Sequence, residues 1–269
     1  MGAGMKTTWL VVVLALMAGA VRAFVTVQPL EIKAQAVEYQ QGETTLEGWL
    51  VYNAAVKEKR PGVLVVHQWK GLTAYEKKRA EMLAELGYVA LCADIYGKGV
   101  RPQDNAAAGQ EAGKFKKNRA LLRDRVQAGL AALKQQPQVD AKRVAAIGYC
   151  FGGTTVIELA RSGAELAGVV SFHGGLDSPT PADGKNIRTK VLVLHGADDP
   201  FVPAKDLQAF EEEMRAGKVD WQLVKYGGAV HSFTDWNLKE STMPGAQYNE
   251  SADRRSWEAM QKFFAELFR

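Results

Sequence analysis

The chain has 269 residues, of which 47% are hydrophobic and 24% charged, enough apolar side chains for a large core and too many for a disordered chain. Its 34 basic and 30 acidic residues are dispersed, giving a net charge of +4 without the basic blocks or aromatic-interleaved stripes of a nucleic-acid-binding surface. Disorder, collagen, coiled coil and nucleic-acid recognition are thereby excluded. At the start of the chain, Lys6 precedes an uncharged apolar run from Trp9 to Val21, and Val21-Arg22-Ala23 puts small residues where a signal peptidase cuts. The fifteen residues between Lys6 and Arg22 fall short of the ~20 that span a bilayer, so residues 1–23 read as a secretory signal peptide rather than a membrane anchor. The remaining 24–269 is then one nearly neutral domain, secreted or periplasmic, with no stable membrane span.

Next in chain order, Val37–Tyr39 and Thr45–Tyr52 flank the turn Gln40-Gln41-Gly42-Glu43 and predict an antiparallel hairpin. Val63–Val66 is a continuous apolar run, the mark of a parallel strand covered on both faces. Tyr75, Met82, Leu83 and Leu86 share a helical face that ends at Gly87, and a strand Tyr88–Ala93 follows. The alternation continues with a helix through Leu122, Val126, Leu130 and Leu133, a strand Val144–Ile147, a helix after Cys150, and strands Leu166–Phe172 and Val191–Leu194. A helix Leu207–Met214, a strand Trp221–Tyr226 and a last helix with Trp257, Met260, Phe263, Phe264 and Leu267 on one stripe close the chain. Such alternation predicts an α/β fold with a mostly parallel central sheet, helices on both faces and an N-terminal antiparallel hairpin. Two stretches break the rhythm, Gly97–Lys117 and Trp236–Glu250. Both follow strand ends, where a parallel sheet places its ligand, so they are expected to wall a site; the alternative is a pair of surface insertions with no ligand role.

Strand Val144–Ile147 runs into Gly148-Tyr149-Cys150-Phe151-Gly152-Gly153 and then a helix, a nucleophile elbow with Cys in place of the usual Ser. Glycine on both sides lets strand and helix close on each other, and the helix N-terminus favours thiolate over thiol. An acid and a histidine should follow in that order. Strand Val191–Leu194 leads to Asp198-Asp199-Pro200, where Asp199 is the candidate acid and Asp198 its neighbour, and strand Trp221–Tyr226 leads to His231. Three strand ends thereby bring a thiol, an imidazole base and a carboxylate to one edge of the sheet. Backbone N–H groups of Phe151 and of Trp69, in the loop after the first parallel strand, are the candidate oxyanion donors. Trp69 has a packing role as the alternative for its side chain. His67, His173 and His195 also close predicted strands; without H-E-x-x-H or CxxC spacing they read as hydrogen-bonded loop or core histidines, and neither metal nor cofactor is expected. Cys92 lies in a buried-strand pattern as a small hydrophobe, which argues against a disulfide with Cys150.

These residues carry a resemblance. Val65-Val66-His67-Gln68-Trp69-Lys70-Gly71, Ala93-Asp94-Ile95-Tyr96-Gly97, the Gly148–Gly153 elbow, Asp199-Pro200-Phe201-Val202-Pro203 and Gly228-Ala229-Val230-His231-Ser232-Phe233 together resemble the dienelactone hydrolase family of the α/β-hydrolases. The resemblance implies a hydrolase of a small-molecule ester or lactone that works through a thioester, with Cys150, Asp199 and His231 as its triad. It also implies departures. Gln68 stands where the family has a Glu beside the resting thiol, and Lys98 and Asp235 stand where two arginines hold the substrate carboxylate. Gln68 and Lys98 are thus the candidate substrate-binding residues. A neutral Gln68 leaves His231 as the main base, which predicts a rate rising near the imidazole's reference pKa of ~6.5. A secreted, non-catalytic ligand-binding protein on a hydrolase scaffold is the competing reading, suggested by Gln68 and the altered clamp.

Overall fold

The alternating and continuous apolar runs become an eight-stranded sheet in the computed structural model, which describes residues 30–269; the predicted signal peptide lies outside them. Strand β1 (Ile32–Gln41) and strand β2 (Thr44–Asn53) form the predicted hairpin, longer than the apolar residues alone suggested. Its outer strand is largely solvated, so polar residues carry the pairing beyond Val37–Tyr39. The remaining strands are β3 (Arg60–Val66), β4 (Val89–Ala93), β5 (Val139–Tyr149), β6 (Gly168–Phe172), β7 (Lys190–Gly196) and β8 (Trp221–Tyr226). Their order across the sheet is β1-β2-β4-β3-β5-β6-β7-β8, antiparallel up to the β2–β4 pair and parallel from there on.

Alternate residues of each central strand face opposite helical layers. Val63, Val65, Ala145 and Ile147 pack under α1 (Ala74–Glu85) and α6 (Glu250–Leu267). Leu64, Val66 and Ala146 pack in the opposite cluster, with α3 (Arg119–Lys134), α4 (Phe151–Arg161) and α5 (Ala204–Gly217). Burial of each such Val or Leu contributes about 1.5–3 kcal/mol, which is why apolar runs on both faces select this layered arrangement. No helix among the described residues is long and apolar enough to cross a membrane.

Two helices differ from the expectation. The buried face of α1 is Tyr75, Glu76, Arg79, Ala80, Leu83 and Ala84, while Leu86 is 43% exposed. Charged residues on the inner face hide the apolar period, and each is matched by a partner distant in sequence or at the helix cap. Glu76 Oε2 accepts the Thr73 N–H at 2.8 Å and hydroxyl at 2.7 Å, and Oε1 accepts the Gln68 N–H at 3.1 Å. Arg79 donates to Asp253 on α6 at 2.5 Å, to the Thr234 carbonyl at 2.8 Å and to the Tyr75 hydroxyl at 3.2 Å. Removing one partner of a buried pair leaves an uncompensated charge, so Arg79→Met is expected to cost about 3–5 kcal/mol and lower Tm by about 10 °C. Scanning calorimetry checks this, and Arg79→Met combined with Asp253→Leu should recover part of the loss. The second difference is α2 (Asn105–Lys117), a helix inside a stretch read as irregular. Asp104 caps it by accepting the Ala107 N–H at 2.8 Å, but Gly109 and Gly113 weaken the pattern and only Ala108, Ala112 and Phe115 are buried.

Candidate active site

Where β5 meets α4, strand and helix backbones approach so closely that side chains are excluded. A Cβ on Gly148 would lie 2.0 Å from the Gly152 carbonyl oxygen, and one on Gly152 would lie 2.2 Å from that of Val66. The turn leaves Cys150 at φ 53° and ψ −113°, a conformation that costs on the order of 1–3 kcal/mol for a residue with a side chain. Its N–H donates to the Phe172 carbonyl at 3.0 Å and to His173 Nδ1 at 3.1 Å, which holds the turn. His173 and Ser232 also have positive φ, 41° and 56°, so backbone strain collects around one point.

At that point the three predicted side chains converge. His231 Nε2 lies 3.1 Å from Cys150 Sγ, and His231 Nδ1 lies 2.7 Å from Asp199 Oδ2. Asp199 is fixed by its other oxygen, which accepts the Phe201 N–H at 2.8 Å. The neighbouring Asp198 is exposed and accepts the Gly228 N–H at 2.9 Å, pinning the turn that precedes His231 rather than touching the imidazole. Burial by itself pushes the Cys150 thiol pKa up, but the His231 charge and hydrogen bond, Lys116 and the Phe151 N–H outweigh it and pull the thiol below its ordinary value. Burial likewise disfavours a charged His231, yet Cys150 and Asp199 together raise its pKa to about 10. Each group thus favours the other's charged form, thiolate on Cys150 and imidazolium on His231. Cys92 behaves oppositely: it is fully buried in β4, its thiol donates to the Glu76 carbonyl at 3.3 Å, and burial lifts its pKa well above the ordinary thiol value.

The pair opens into a cleft of about 1100 Å³. Both predicted wall segments line it, through Asn105, Gly109 and Lys116 of α2 and through Leu238, Met243 and Pro244 of the later stretch. That later stretch also holds the histidine loop, since the His231 N–H donates to the Gly245 carbonyl at 3.0 Å and the His231 carbonyl accepts the Gln247 N–H at 3.1 Å. Phe151, Trp69 and Gln68 line the cleft too.

Three solved or curated relatives bear on what such a site does. The dienelactone hydrolase family model matches residues 46–268. The chain belongs to the dienelactone hydrolase family. Its fold matches that of a solved structure named m3DLH, with 42% identity over 88% of this chain and 99% of that one, at a TM-score of 0.86. A structure titled as a dienelactone hydrolase-like promiscuous phosphotriesterase from metagenomic libraries is 43% identical over the same 88% and 99%, at a TM-score of 0.84. A Bradyrhizobium protein named probable 2-oxo-3-(5-oxofuran-2-ylidene)propanoate lactonase is 31% identical over 74% of this chain and 84% of its own length. As a member of the dienelactone hydrolase family, the chain is a hydrolase of ester or lactone bonds.

Within this family member, Lys98 does not stand where a substrate-binding residue is needed. It is absent from the cleft lining, and its ammonium pairs with Glu38 on β1, with Glu47 on β2 at 4.0 Å. The neighbouring hairpin supplied carboxylates that the local motif gave no reason to expect there. Gln68 reaches the cleft with its amide committed, Nε2 donating to Asp235 Oδ2 at 2.8 Å. The other histidines are hydrogen-bonded or buried. His67 Nε2 accepts the Ile95 N–H at 3.2 Å, and His195 is 1% exposed with its pKa lowered by burial. Among the described residues no group of three or more His, Cys, Asp or Glu side chains could hold a metal ion.

A supporting layer beneath the site was not legible as such. His173 is fully buried, and burial followed by the His231 charge keeps it neutral, its pKa well below the ordinary value. Accepting at Nδ1 from Cys150, it donates from Nε2 to the Thr234 hydroxyl at 2.8 Å, which lies 2.6 Å from the Tyr75 hydroxyl. The Arg79–Asp253 pair is thereby linked to the nucleophile turn through a continuous polar chain. Phe201, also unforeseen, is 55% exposed beside the cleft with its ring edge-on to His231 at 5.3 Å.

Proposed function

We propose that Cys150, His231 and Asp199 act as nucleophile, acid–base and orienting carboxylate in hydrolysis of an ester or lactone through a thioester. The Cys150 thiolate attacks the substrate carbonyl carbon, forming a C–S bond and an oxyanion that the Phe151 and Trp69 backbone N–H groups stabilise. The alkoxide then departs with the proton from His231 Nε2, leaving the acyl group on sulfur. His231, now neutral, takes a proton from water, whose oxygen attacks the thioester and returns the thiolate as leaving group. Asp199 keeps the Nδ1 proton on the ring, so that Nε2 is the nitrogen that exchanges it.

The observation that carries this reading is the alignment Asp199 Oδ2, His231 and Cys150 Sγ at 2.7 and 3.1 Å, with the thiol's pKa lowered and the imidazole's raised. A scaffold that only binds has no use for an ion pair at a strained turn. The same donors suit the phosphoryl oxygen of a neutral phosphotriester, a second reading favoured by the 43% identity to the structure named for that activity. Export is part of the proposal, supported by the apolar run Trp9 to Val21 behind Lys6.

Rapid mixing with p-nitrophenyl acetate tests it. One equivalent of p-nitrophenol should appear in a burst, with one acetyl group trapped on Cys150 at low pH and located by mass spectrometry. The sequence alone suggested a rate rising near an unperturbed imidazole; the ion pair changes that expectation. The burst rate should rise as the thiol ionises below its ordinary pKa and fall as His231 loses its proton around pH 10, because acylation needs the thiolate and the imidazolium together. A single rise at the pKa of a free thiol, with no trapped acetyl group, would contradict the proposal. Diethyl p-nitrophenyl phosphate run alongside tests the phosphotriester reading.

A further inference from the structure

Charges in the cleft are unevenly distributed between its depth and its rim. Asp235, which lines the cleft, is 9% exposed, and its carboxylate accepts three N–H hydrogen bonds. These come from Gln68 Nε2 at 2.8 Å and from the Asn237 backbone and side-chain nitrogens, both at 3.0 Å. All three donors are neutral. The buried Arg79 guanidinium is engaged by Asp253 and the Thr234 carbonyl instead. A second lining carboxylate, Glu76, is fully buried and is likewise held by neutral donors from Gln68 and Thr73. Gln68 thus joins the two, its backbone N–H on Glu76 and its side-chain amide on Asp235.

The lysines that line the same cleft, Lys70 and Lys116, are exposed. Their charges sit in water, where salt screens them over about 8–10 Å, whereas a charge held among protein atoms acts through a lower dielectric. An incoming carboxylate that sheds its water beside Asp235 therefore finds a like charge, while the buried imidazolium lining the cleft, His231, is already engaged at both nitrogens by Asp199 and Cys150. An uncharged acyl group carries no such penalty, and a cationic one is attracted.

We propose that the Gln68–Asp235 pair is a charge filter, so that the cleft selects esters with uncharged or cationic acyl groups and rejects those bearing a carboxylate. The proposal deepens the reading of Cys150 as an acyl-accepting nucleophile and rests on it. Here Asp235 and Gln68 set specificity; they are not groups that take part in bond making.

Alkylation of Cys150 by iodoacetamide and iodoacetate tests the filter without turnover, since the two reagents differ chiefly in charge. The matched ester pair is p-nitrophenyl butyrate and the mono-p-nitrophenyl ester of glutaric acid. In the full-length protein the neutral member of each pair should react faster. Asp235→Asn should raise the anionic-to-neutral rate ratio about fivefold in both assays, the size of one partly screened charge contact. Asp235→Ser, a smaller side chain that also removes the charge, should move the ratio the same way. An unchanged ratio in both variants, with Cys150 still alkylated and esters still cleaved, overturns the filter alone. Failure of the unsubstituted protein to alkylate at Cys150 or to cleave either ester overturns the nucleophile reading instead.

Discussion

Cys150→Ala protein is expected to lose ester hydrolysis almost entirely, with kcat lowered by about 10⁴-fold or more, because the residual rate comes only from binding and the oxyanion donors. The side chain to be removed is the one held 3.1 Å from His231 Nε2 with a depressed pKa. Alanine keeps the Cβ and so leaves the strained turn as it is, and the thiol it removes is only partly buried, so the fold should persist and Tm should change little. Cys92→Ala gives the opposite pattern. That thiol is buried in β4 and donates to the Glu76 carbonyl at 3.3 Å, so about 1–2 kcal/mol of stability should be lost while turnover stays intact. Steady-state hydrolysis and thermal melts on the two variants separate chemistry from packing, and iodoacetamide should label Cys150 and leave Cys92 untouched under native conditions. Full activity in Cys150→Ala would remove the nucleophile assignment.

The second large effect is expected at Asp199. Asp199→Asn replaces the acceptor of the His231 Nδ1 proton with an amide that can donate there, which favours the imidazole tautomer unable to take the thiol proton at Nε2. A loss of about 10²–10⁴-fold in kcat should follow, together with a thiol that ionises at higher pH, read by the pH dependence of alkylation. Asp198→Asn should cost less than about tenfold, since that exposed carboxylate only accepts the Gly228 N–H ahead of the histidine loop. Equal losses at the two positions would mean that the imidazole is oriented by some other group.

Both effects concern residues whose order along the chain was readable before any geometry. The elbow glycines, the Cys, the later Asp-Pro and the His all sit at ends of apolar runs, and a parallel sheet brings such ends to one edge. The two segments that broke the strand–helix rhythm likewise line the cleft, as their position after strand ends predicted. Less was legible wherever a polar residue is buried. Glu76 and Arg79 face inward on α1; the Thr73–Glu76 capping-box spacing was a local signal for the first, but nothing in the immediate sequence distinguishes Arg79 from a solvated charge, and partners at Thr73, Gln68 and Asp253 make the burial of both tolerable. Helix α2 was hidden by two interior glycines, and Lys98 was misplaced because its acidic partner Glu38 comes from a hairpin sixty positions earlier.

The sequence by itself determined the layered fold and the identity and order of Cys150, Asp199 and His231, because hydrophobic period and glycine placement are local properties that act through sterics and burial. Only the folded chain shows that Asp199 and Cys150 sit on opposite nitrogens of His231, that thiolate and imidazolium favour each other there, and that the Gln68 amide binds Asp235. Each of these depends on distances between groups tens to more than a hundred residues apart, and electrostatic energy and hydrogen bonding change steeply with such distances while sequence spacing does not encode them.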